Sequence, residues 1–392
     1  MSQFLKVDLV LREFLEIFGG GQRNLQIFFV PGKINLIGEH TSYNGGLSLS
    51  GAINLGSYIV IRKNTTTKMR FASFGHNLVH EHNLNDEIKH VGAEWVNYPL
   101  GALVELEKAG FELQGFDCFF YSDLPMDIGL ASSASLVMAA AYAISDVLDF
   151  HLSKSELISI CFNSEKEFIG KESSLLDYYT ISYAEKDCAM LVDCSDWSFE
   201  HEKVNLIDYR FVITDSKKRP KNVKQRLSRR KSQCKEALVQ YQEIKKIEKL
   251  CEINYKEFED FSHEKIDKIN FKRAKHIITE NDRVKAAVEA MVENKFDVFG
   301  KLMFESHYSL KNYYEVSSSE LDILIDEGAK VEGVIGSKML GSGFGGCVLN
   351  LIHYKFLNYY YAHILNIYRA KTGLKPDFYE VELGDSLQKI YE

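Results

Sequence analysis

A polar, glycine-rich run, PGKINLIGEHTSYNGG (31–46), constrains the fold of this chain most strongly. It lies between two apolar segments, LQIFFV (25–30) and YIVIRK (58–63), whose β-branched and aromatic residues are typical of strands. The run contains four glycines. Its polar side chains include Lys33, Glu39, His40, Ser42, Tyr43 and Asn44. Two strands are therefore predicted on either side of a segment that concentrates hydrogen-bonding groups.

Length and composition predict two compact domains of a globular protein. The chain has 392 residues, of which 45% are hydrophobic and 26% charged. No apolar run reaches the roughly 18–20 residues of a membrane span. The first residues, MSQFLKVDLVLREFLEIFGGG, predict an amphipathic helix rather than a secretory signal. The seven cysteines are scattered and form no CxxC pair, which predicts free thiols and a cytoplasmic protein.

The charge distribution argues against nucleic acid as a partner. The net charge is −8, although KKRPKNVKQRLSRRKSQCK (217–235) carries ten lysines and arginines. A nucleic-acid groove at this segment is the alternative, but no aromatic residues alternate with its basic ones. A solvated face of a helix is therefore the favoured interpretation.

Strands and helices are mixed along the chain, so the predicted class is α+β or α/β. GFDCFFYSDL is predicted to be a strand, and GAEWVNYPLGALVELEKAGF and SLVMAAAYAISDVLDF are predicted to be helices. CAMLVDC (188–194) and RFVITDS (210–216) are predicted strands joined by a polar connection. A domain boundary is expected near residue 205, within that connection.

A loop of small residues, SDLPMDIGLASSASLVM (122–138), is predicted to join a strand to a helix. Helix N-termini leave N–H groups unpaired and carry partial positive charge, so such a loop is suited to phosphate. The alternative is an ordinary helix start capped by Ser132 or Ser133. The chain lacks the GxxxxGK[ST] loop of other phosphate-binding proteins.

A second glycine-rich segment, GSGFGG (341–346), matches G-x-G-x-x-G but is followed by the predicted strand CVLNLI. The dinucleotide-binding fingerprint requires a helix at that point. A tight turn that lies close to a ligand, or to another strand, is predicted instead.

Three segments, in this order, resemble the galactokinases, which are sugar kinases of the GHMP superfamily. PGKINLIGEHTSYNGG is similar to the family signature PGRxNLIGEHTDYNGG. DLPMDIGLASSASL is similar to the superfamily's nucleotide loop LPxGxGLSSSASL, and GSKMLGSGFGGC to its third motif GxRMTGxGFGGC. The resemblance extends over roughly residues 9–385.

The resemblance implies an α+β protein with the two-domain GHMP kinase fold. An N-terminal, ribosomal-protein-S5-like domain (1–205) would bind ATP, and a C-terminal, ferredoxin-like domain (206–392) would carry the third motif. The active site would lie between them. The implied reaction is ATP- and Mg²⁺-dependent phosphorylation of the anomeric (C1) hydroxyl of galactose, giving galactose 1-phosphate. A cytoplasmic monomer that binds a sugar, and neither nucleic acid nor membrane, is expected.

The resemblance also implies roles for individual residues. Asp177 lies twelve positions after Glu165, as the catalytic aspartate does in the family, and Lys33 would keep it ionised. Ser133 and Glu165 would hold Mg²⁺. The sugar would contact Glu39, His40, Ser42 and Tyr43. The nucleotide would lie on Pro125, Gly129, Leu130, Ala131, Ser132, Ser133, Ala134, Gly343 and Gly345.

Departures from the family pattern affect the sugar side of the site. Lys33 replaces the signature's arginine, which keeps the charge but loses the bidentate fork. Ser42 replaces an aspartate that reads hydroxyls of the sugar ring. Leu227 aligns with a tyrosine that the family places near the sugar.

Other departures affect the nucleotide loop and the catalytic segment. Asp127 replaces a glycine and Ile128 a small residue, and a carboxylate beside phosphates repels them unless it points away or pairs with a cation. SLLDYY replaces GIMDQ around Asp177. Three hypotheses follow: a galactokinase with an altered pocket, a kinase for the anomeric hydroxyl of another monosaccharide, and a non-catalytic sensor of sugar or ATP.

Overall fold

The structure of the chain is a computed structural model that describes residues 3–21, 23–76, 78–92, 94–219, 221–261, 264 and 266–391. The strands are β1 (Gln26–Ile37), β2 (Leu47–Lys63), β3 (Lys68–Ser73), β4 (His80–Asn83), β5 (Phe116–Ser122), β6 (Cys188–Asp193), β7 (Ser198–Lys203), β8 (Tyr209–Asp215), β9 (Val334–Met339), β10 (Cys347–His353), β11 (Asp377–Val381) and β12 (Gln388–Tyr391).

The helices are α1 (Gln3–Phe18), α2 (Asn97–Lys108), α3 (Ser132–Val147), α4 (Lys154–Asn163), α5 (Leu175–Tyr183), α6 (Val223–Gln242), α7 (Tyr255–Asp260), α8 (Lys268–Val292), α9 (Phe296–Ser309), α10 (Ser319–Gly328) and α11 (Leu357–Thr372). Short 3-10 helices span Ser42–Asn44, Leu250–Glu252 and Tyr354–Phe356, and π-helical turns span Ser164–Ile169 and Leu310–Tyr314.

The first sheet is organised around a long antiparallel pair, β1 and β2. Its strand order is β12-β1-β2-β5-β3-β4, and β6 pairs with the other end of β2 and with β7. β1 is buried on both faces along most of its length, which explains the continuous apolar run IFFV in its first half. Phe28 lies in the hydrophobic core that contains α3, whereas Ile27 packs with Val10 and Phe14 of α1. Helices therefore cover both faces of this pair.

The second sheet has the order β11-β8-β10-β9, and all of its pairs are antiparallel. One face packs on a helical core that includes Tyr360 and Ile364 of α11. The other face, with Phe211 and Ile213, shares a core with Ile34 of β1. The two sheets therefore meet across a continuous apolar layer close to the end of β1.

The strands change sheet between β7 and β8, on either side of the boundary expected near residue 205. One strand departs from this division, because β12 pairs with β1 and places Tyr391 opposite Ile27. Leu383 also forms a β-bridge with Ile53. The last residues thus return to the first sheet, and the two-domain division stays a prediction.

Most of the predicted elements are confirmed. Strands occur at LQIFFV, YIVIRK, GFDCFFYSDL, CAMLVDC and RFVITDS, and helices at both predicted helical segments and at the N-terminus. The polar connection between CAMLVDC and RFVITDS contains a strand that was not predicted, β7, whose charged sequence SFEHEK has no fully buried residue. No helix in the described part of the chain is long and apolar enough to cross a membrane.

Candidate active site

The polar run 31–46 is not a single loop. Its first seven residues continue β1, and the chain turns only at Gly38. The hydroxyl of Thr41 lies 2.7 Å from the carbonyl oxygens of both Gly38 and Leu47, and the Asn44 amide donates to the carbonyl of His40 at 2.9 Å. These contacts close the turn. Some polar groups of the run therefore shape the backbone rather than wait for a ligand.

Lys33 and Asp177 form an ion pair between β1 and the first turn of α5. The Lys33 ammonium donates to Oδ1 of Asp177 at 2.9 Å. The Lys33 side chain is 6% exposed and that of Asp177 is 25% exposed, so the carboxylate stays accessible from the cleft. The backbone N–H of Lys33 donates to the carbonyl of Leu130 at 3.1 Å. The pair therefore lies directly beside the nucleotide loop.

Glu39 is buried beside a lysine from the second sheet. The ammonium of Lys338 lies 2.5 Å from Glu39 Oε1, and both side chains are at most 2% exposed. Burial raises the pKa of Glu39 to about 7, against the opposing attraction of Lys338. Neither carboxylate oxygen has a hydrogen-bond partner of good geometry among the described residues. Such a group retains capacity for a polar ligand.

His40 belongs to an aromatic cluster with Tyr43 and Tyr314. Its Nδ1 lies 2.8 Å from the Tyr43 hydroxyl, which lies 2.7 Å from the Tyr314 hydroxyl, and its ring stacks on Tyr314 at 4.6 Å. Burial lowers the pKa of His40, so the imidazole is neutral at physiological pH. Its Nε2 is buried and has no hydrogen-bond partner within the described residues.

The two substituted sugar-side positions lie on different elements. Ser42 is half-buried at the start of the 3-10 helix Ser42–Asn44. Leu227 is half-buried on α6. Tyr43, between Ser42 and the end of the turn, is 39% exposed.

The nucleotide loop leads into α3 without a side-chain cap. The N-cap residue is Ala131, whose backbone is left-handed (φ 57°), so the alternative of a helix start capped by Ser132 or Ser133 does not apply. The hydroxyl of Ser133 instead accepts a hydrogen bond from the Lys171 ammonium at 2.7 Å. Because no side chain caps α3, its first-turn N–H groups are suited to an anion.

The nucleotide loop and the third motif contact each other through backbone. Gly129 and Gly341 both have positive φ, and a Cβ on Gly129 would lie 3.1 Å from the Gly341 Cα. Ile128 is buried, and its carbonyl accepts a hydrogen bond from the Cys347 thiol at 2.9 Å. Asp127 is exposed. Glycine is therefore required where these segments touch.

Two glycines of the third motif, Gly341 and Gly346, lie against the nucleotide loop. A Cβ on Gly346 would lie 3.4 Å from the Ile128 carbonyl oxygen, whereas one on Gly343 would meet the Val316 carbonyl oxygen at 2.4 Å. Gly341 and Gly346 are thus the glycines that contact the nucleotide loop. The nucleotide roles of Gly343 and Gly345 stay predictions.

Glu165 is buried beside Ser133. The hydroxyl of Tyr178 donates to Glu165 Oε2 at 2.5 Å, and the hydroxyl of Ser173 donates to the same oxygen. Oε1 is 3.9 Å from the Lys171 ammonium and has no hydrogen-bond partner among the described residues. Since Tyr178 directly follows Asp177, this network connects the catalytic segment to the nucleotide loop.

The basic segment is only partly a solvated face, so that interpretation is wrong for several of its residues. On α6, the Arg226 guanidinium lies 3.7 Å from the centre of the Phe344 ring, and Arg230 donates to the Tyr314 carbonyl at 2.7 Å. Lys231 pairs with Glu172 at 2.8 Å. The helix therefore lies across the third motif and the aromatic cluster, because its cations find partners on both.

Family models match three parts of the chain. The GHMP kinases N terminal domain matches residues 97–185, and the GHMP kinases C terminal model matches residues 287–355. The galactokinase galactose-binding signature matches residues 12–63. The fold and these matches define a GHMP kinase, which is a kinase that uses ATP.

Curated relatives identify the family within that class. The chain is 35% identical to the galactokinase of Clostridium acetobutylicum, over 98% of this chain and 99% of that protein. It is 33% identical to the galactokinase of Bacillus subtilis, over 96% and 97% of the two chains. The chain belongs to the galactokinase family.

Solved structures agree with this assignment. The galactokinase of Lactococcus lactis, complexed with galactose, superposes with a TM-score of 0.91 at 33% identity, covering 98% of this chain and all of that one. The mevalonate kinase of Methanococcus jannaschii superposes with a TM-score of 0.66 at 24% identity, covering 93% of this chain and all of that one. The second match shows the shared fold alone.

Several residues of the site were not predicted from the sequence. Lys338 stands at the arginine of the third motif, so that motif was a signal for it. Lys171 and Tyr314 carry no such signal. Lys171 reaches the site because it follows the π-helical turn Ser164–Ile169, and Tyr314 reaches it because it lies just beyond the end of α9.

Proposed function

We propose that this chain transfers the γ-phosphoryl group of ATP to the anomeric hydroxyl of galactose. The observation that carries the proposal is the Lys33–Asp177 ion pair, which lies beside a nucleotide loop that leaves α3 uncapped. Phosphoryl transfer requires a partner for the attacking hydroxyl and a cradle for the phosphates, and the two are adjacent here.

Asp177 is proposed to accept the proton of the anomeric hydroxyl, or to orient it for attack. Its carboxylate is held by Lys33 through Oδ1 and is partly exposed, which suits both roles. Lys33 is proposed to keep the aspartate ionised and to stabilise the charge that develops during transfer.

The phosphates are proposed to lie on residues 125–134 and the first turn of α3. Backbone N–H groups at the N-terminus of this 16-residue helix favour negative charge. Asp127 is exposed, which is compatible with a carboxylate that points away from the phosphates. Arg219, whose pKa is raised chiefly by its hydrogen bonds to Asp215, is also attracted by Asp127.

The sugar is proposed to contact Glu39 and His40, with Ser42 and Tyr43 beside them. Oε2 of Glu39 and Nε2 of His40 are buried polar atoms that lack hydrogen-bond partners among the described residues. Leaving such atoms unsatisfied costs about 1–3 kcal/mol each. Hydroxyl groups of a sugar would satisfy both atoms directionally.

Ser133 and Glu165 are proposed to hold Mg²⁺. The described residues contain no group of three or more His, Cys, Asp or Glu side chains placed to bind a metal by themselves. Mg²⁺ in kinases typically takes one or two protein ligands together with phosphate oxygens, so one hydroxyl and one carboxylate fit. The unpartnered Oε1 of Glu165 supports this assignment. When bound, the ion would neutralise phosphate charge.

A sugar panel tests the proposal. ADP release is measured with Mg-ATP and galactose, glucose, N-acetylgalactosamine, arabinose or galacturonate, for the wild type and for Asp177→Asn. Turnover on galactose that is lost in Asp177→Asn would support both the substrate and the catalytic assignment. Galactose turnover that persists in Asp177→Asn would contradict the role of the aspartate.

A kinase for a different monosaccharide is the second candidate, because Ser42 and Leu227 replace two sugar-reading side chains of the family. Turnover confined to another sugar of the panel would favour it. No turnover, with calorimetric binding of ATP and sugar retained, would favour a sensor.

We further propose a cytoplasmic monomer with domains 1–205 and 206–392. All seven cysteines are free thiols, and five of them are buried, which suits a reducing compartment. The change of sheet between β7 and β8 supports the domain division, apart from the return of β12.

A further inference from the structure

A lysine ammonium lies between the two proposed ligands of Mg²⁺. Lys171 Nζ is 2.7 Å from the hydroxyl oxygen of Ser133 and 3.9 Å from Oε1 of Glu165. Lys171 lies outside the three motifs of the family. It places a positive charge where the site would receive a metal ion.

The backbone holds Lys171 at this position. Gly170 ends the π-helical turn in a left-handed conformation, and the N–H of Lys171 donates to the carbonyl of Glu165 at 2.8 Å. The flanking residues are tied to α6, since Lys224 donates to the Gly170 carbonyl at 3.1 Å and Lys231 pairs with Glu172 at 2.8 Å. The ammonium is therefore aimed at Ser133 by a restrained backbone.

The side chain itself is free to leave. It is 45% exposed, whereas the Glu165 side chain is 1% exposed. A buried carboxylate needs a nearby cation, and Oε1 of Glu165 has no hydrogen bond to the described residues. Lys171 supplies that charge through a flexible stem, and a partly exposed ion pair of this kind is weak.

We propose that Lys171 is a resident cation that stabilises the metal-free nucleotide site and must be displaced when a divalent ion binds Ser133 and Glu165. Lys171 does not contact the reacting atoms in this proposal, which rests on the proposed metal site at Ser133 and Glu165. Two consequences follow. In the absence of metal, the wild type should bind nucleotide more tightly than a variant without the lysine. Added Mg²⁺ should improve nucleotide binding less in the wild type than in that variant.

Calorimetry of a non-hydrolysable ATP analogue, AMPPNP, tests this without any turnover. Its Kd is measured with Mg²⁺ and with EDTA, and the ratio of the two values reports how much the metal improves binding. In Lys171→Met this ratio should rise roughly threefold to fivefold over the wild type, as expected for the loss of a partly exposed charge contact. Lys171→Arg, which keeps the charge, should stay near the wild-type ratio.

Lys166→Met is the matched control. Lys166 lies on the π-helical turn that precedes Lys171, is 61% exposed and pairs with Glu167 at 2.8 Å. The ratio of the two AMPPNP Kd values in Lys166→Met should equal that of the wild type. Thermal unfolding confirms that each variant is folded, and Lys171→Gln serves as a second neutral variant.

A ratio in Lys171→Met within twofold of the wild type would overturn the inference. That result would be obtained if the Kd values with Mg²⁺ and with EDTA rose by the same factor. Lys171 would then be a phosphate contact whose contribution does not depend on the metal. The sugar panel is independent of this measurement. Failure to phosphorylate galactose, together with a raised ratio, would refute the proposed substrate and leave the role of Lys171 intact.

Discussion

Replacing Lys33 by methionine tests the central ion pair of the site. The ammonium is buried and donates to Oδ1 of Asp177 at 2.9 Å. A hydrogen bond between charged groups contributes about 1.5–3 kcal/mol, so its loss in the transition state corresponds to roughly a tenfold to 150-fold lower kcat. We expect kcat to fall by that factor in Lys33→Met, with a smaller change in the KM for galactose.

A double-mutant cycle sharpens this prediction. Asp177→Asn should lose about 10²–10⁴-fold in kcat as a general base would. Because part of the lysine's contribution is made through the aspartate, the Lys33→Met loss should be smaller in the Asp177→Asn background than in the wild type. Steady-state ADP release with galactose and Mg-ATP provides all four rates.

The matched control for this cycle is Lys389→Met. Lys389 pairs with Asp146 at 3.0 Å near the C-terminal end of α3, opposite the end that carries the nucleotide loop. This variant should keep the wild-type kcat. Losses that add in the double variant, or a rise in KM with kcat unchanged, would refute the reasoning. A thermal unfolding scan of each variant separates loss of folding from loss of catalysis.

Three further predictions concern the backbone, the titration of the sugar side and the substituted serine. Gly129→Ala should lower the free energy of unfolding by about 1–3 kcal/mol in urea, because its φ of 91° and its contact with Gly341 both oppose a Cβ; no change would contradict the close approach. Burial raises the pKa of Glu39 to about 7 against the attraction of Lys338, so the folded protein retains a proton that the unfolded chain releases above 4.5. Relative to Glu39→Gln, the wild type should therefore lose about 2–3 kcal/mol of unfolding free energy between pH 5 and 8, measured by urea titration at each pH. Unfolding free energies of the two proteins that change in parallel with pH would disprove this. Ser42→Asp should lower the KM for galactose by about tenfold, as a charged hydrogen bond would, and steady-state kinetics that show an equal or higher KM would argue against a sugar contact there.

The secondary structure was largely predictable because its signals are local. Buried strands such as β5 are rich in apolar and aromatic residues, and α3 is rich in alanine, which favours a helix. β7 was missed because its sequence, SFEHEK, has neither an apolar run nor a buried face. Its position depends on pairing with β6, a contact that the sequence of β7 alone does not indicate.

The start of α3 shows how tertiary structure overrides a local preference. Serines at positions 132 and 133 favour an N-cap, yet Ala131 holds that place in a left-handed conformation. The Ser133 hydroxyl is bound by Lys171, which lies 38 residues further along the chain. The alternative of a serine cap therefore does not apply, because the helix begins one residue earlier than a serine N-cap would allow.

The sequence alone determined the family and the order of the motifs and predicted the residues of the candidate site, since these depend on short segments with specific chemistry. The tertiary structure alone decided which charges meet. Glu39 with Lys338, Ser133 with Lys171 and the return of β12 to β1 each join residues that are far apart in sequence. Such pairs form only when two sheets and their helices pack together, because that packing brings segments distant in the sequence into contact and favours pairing of the polar groups it buries.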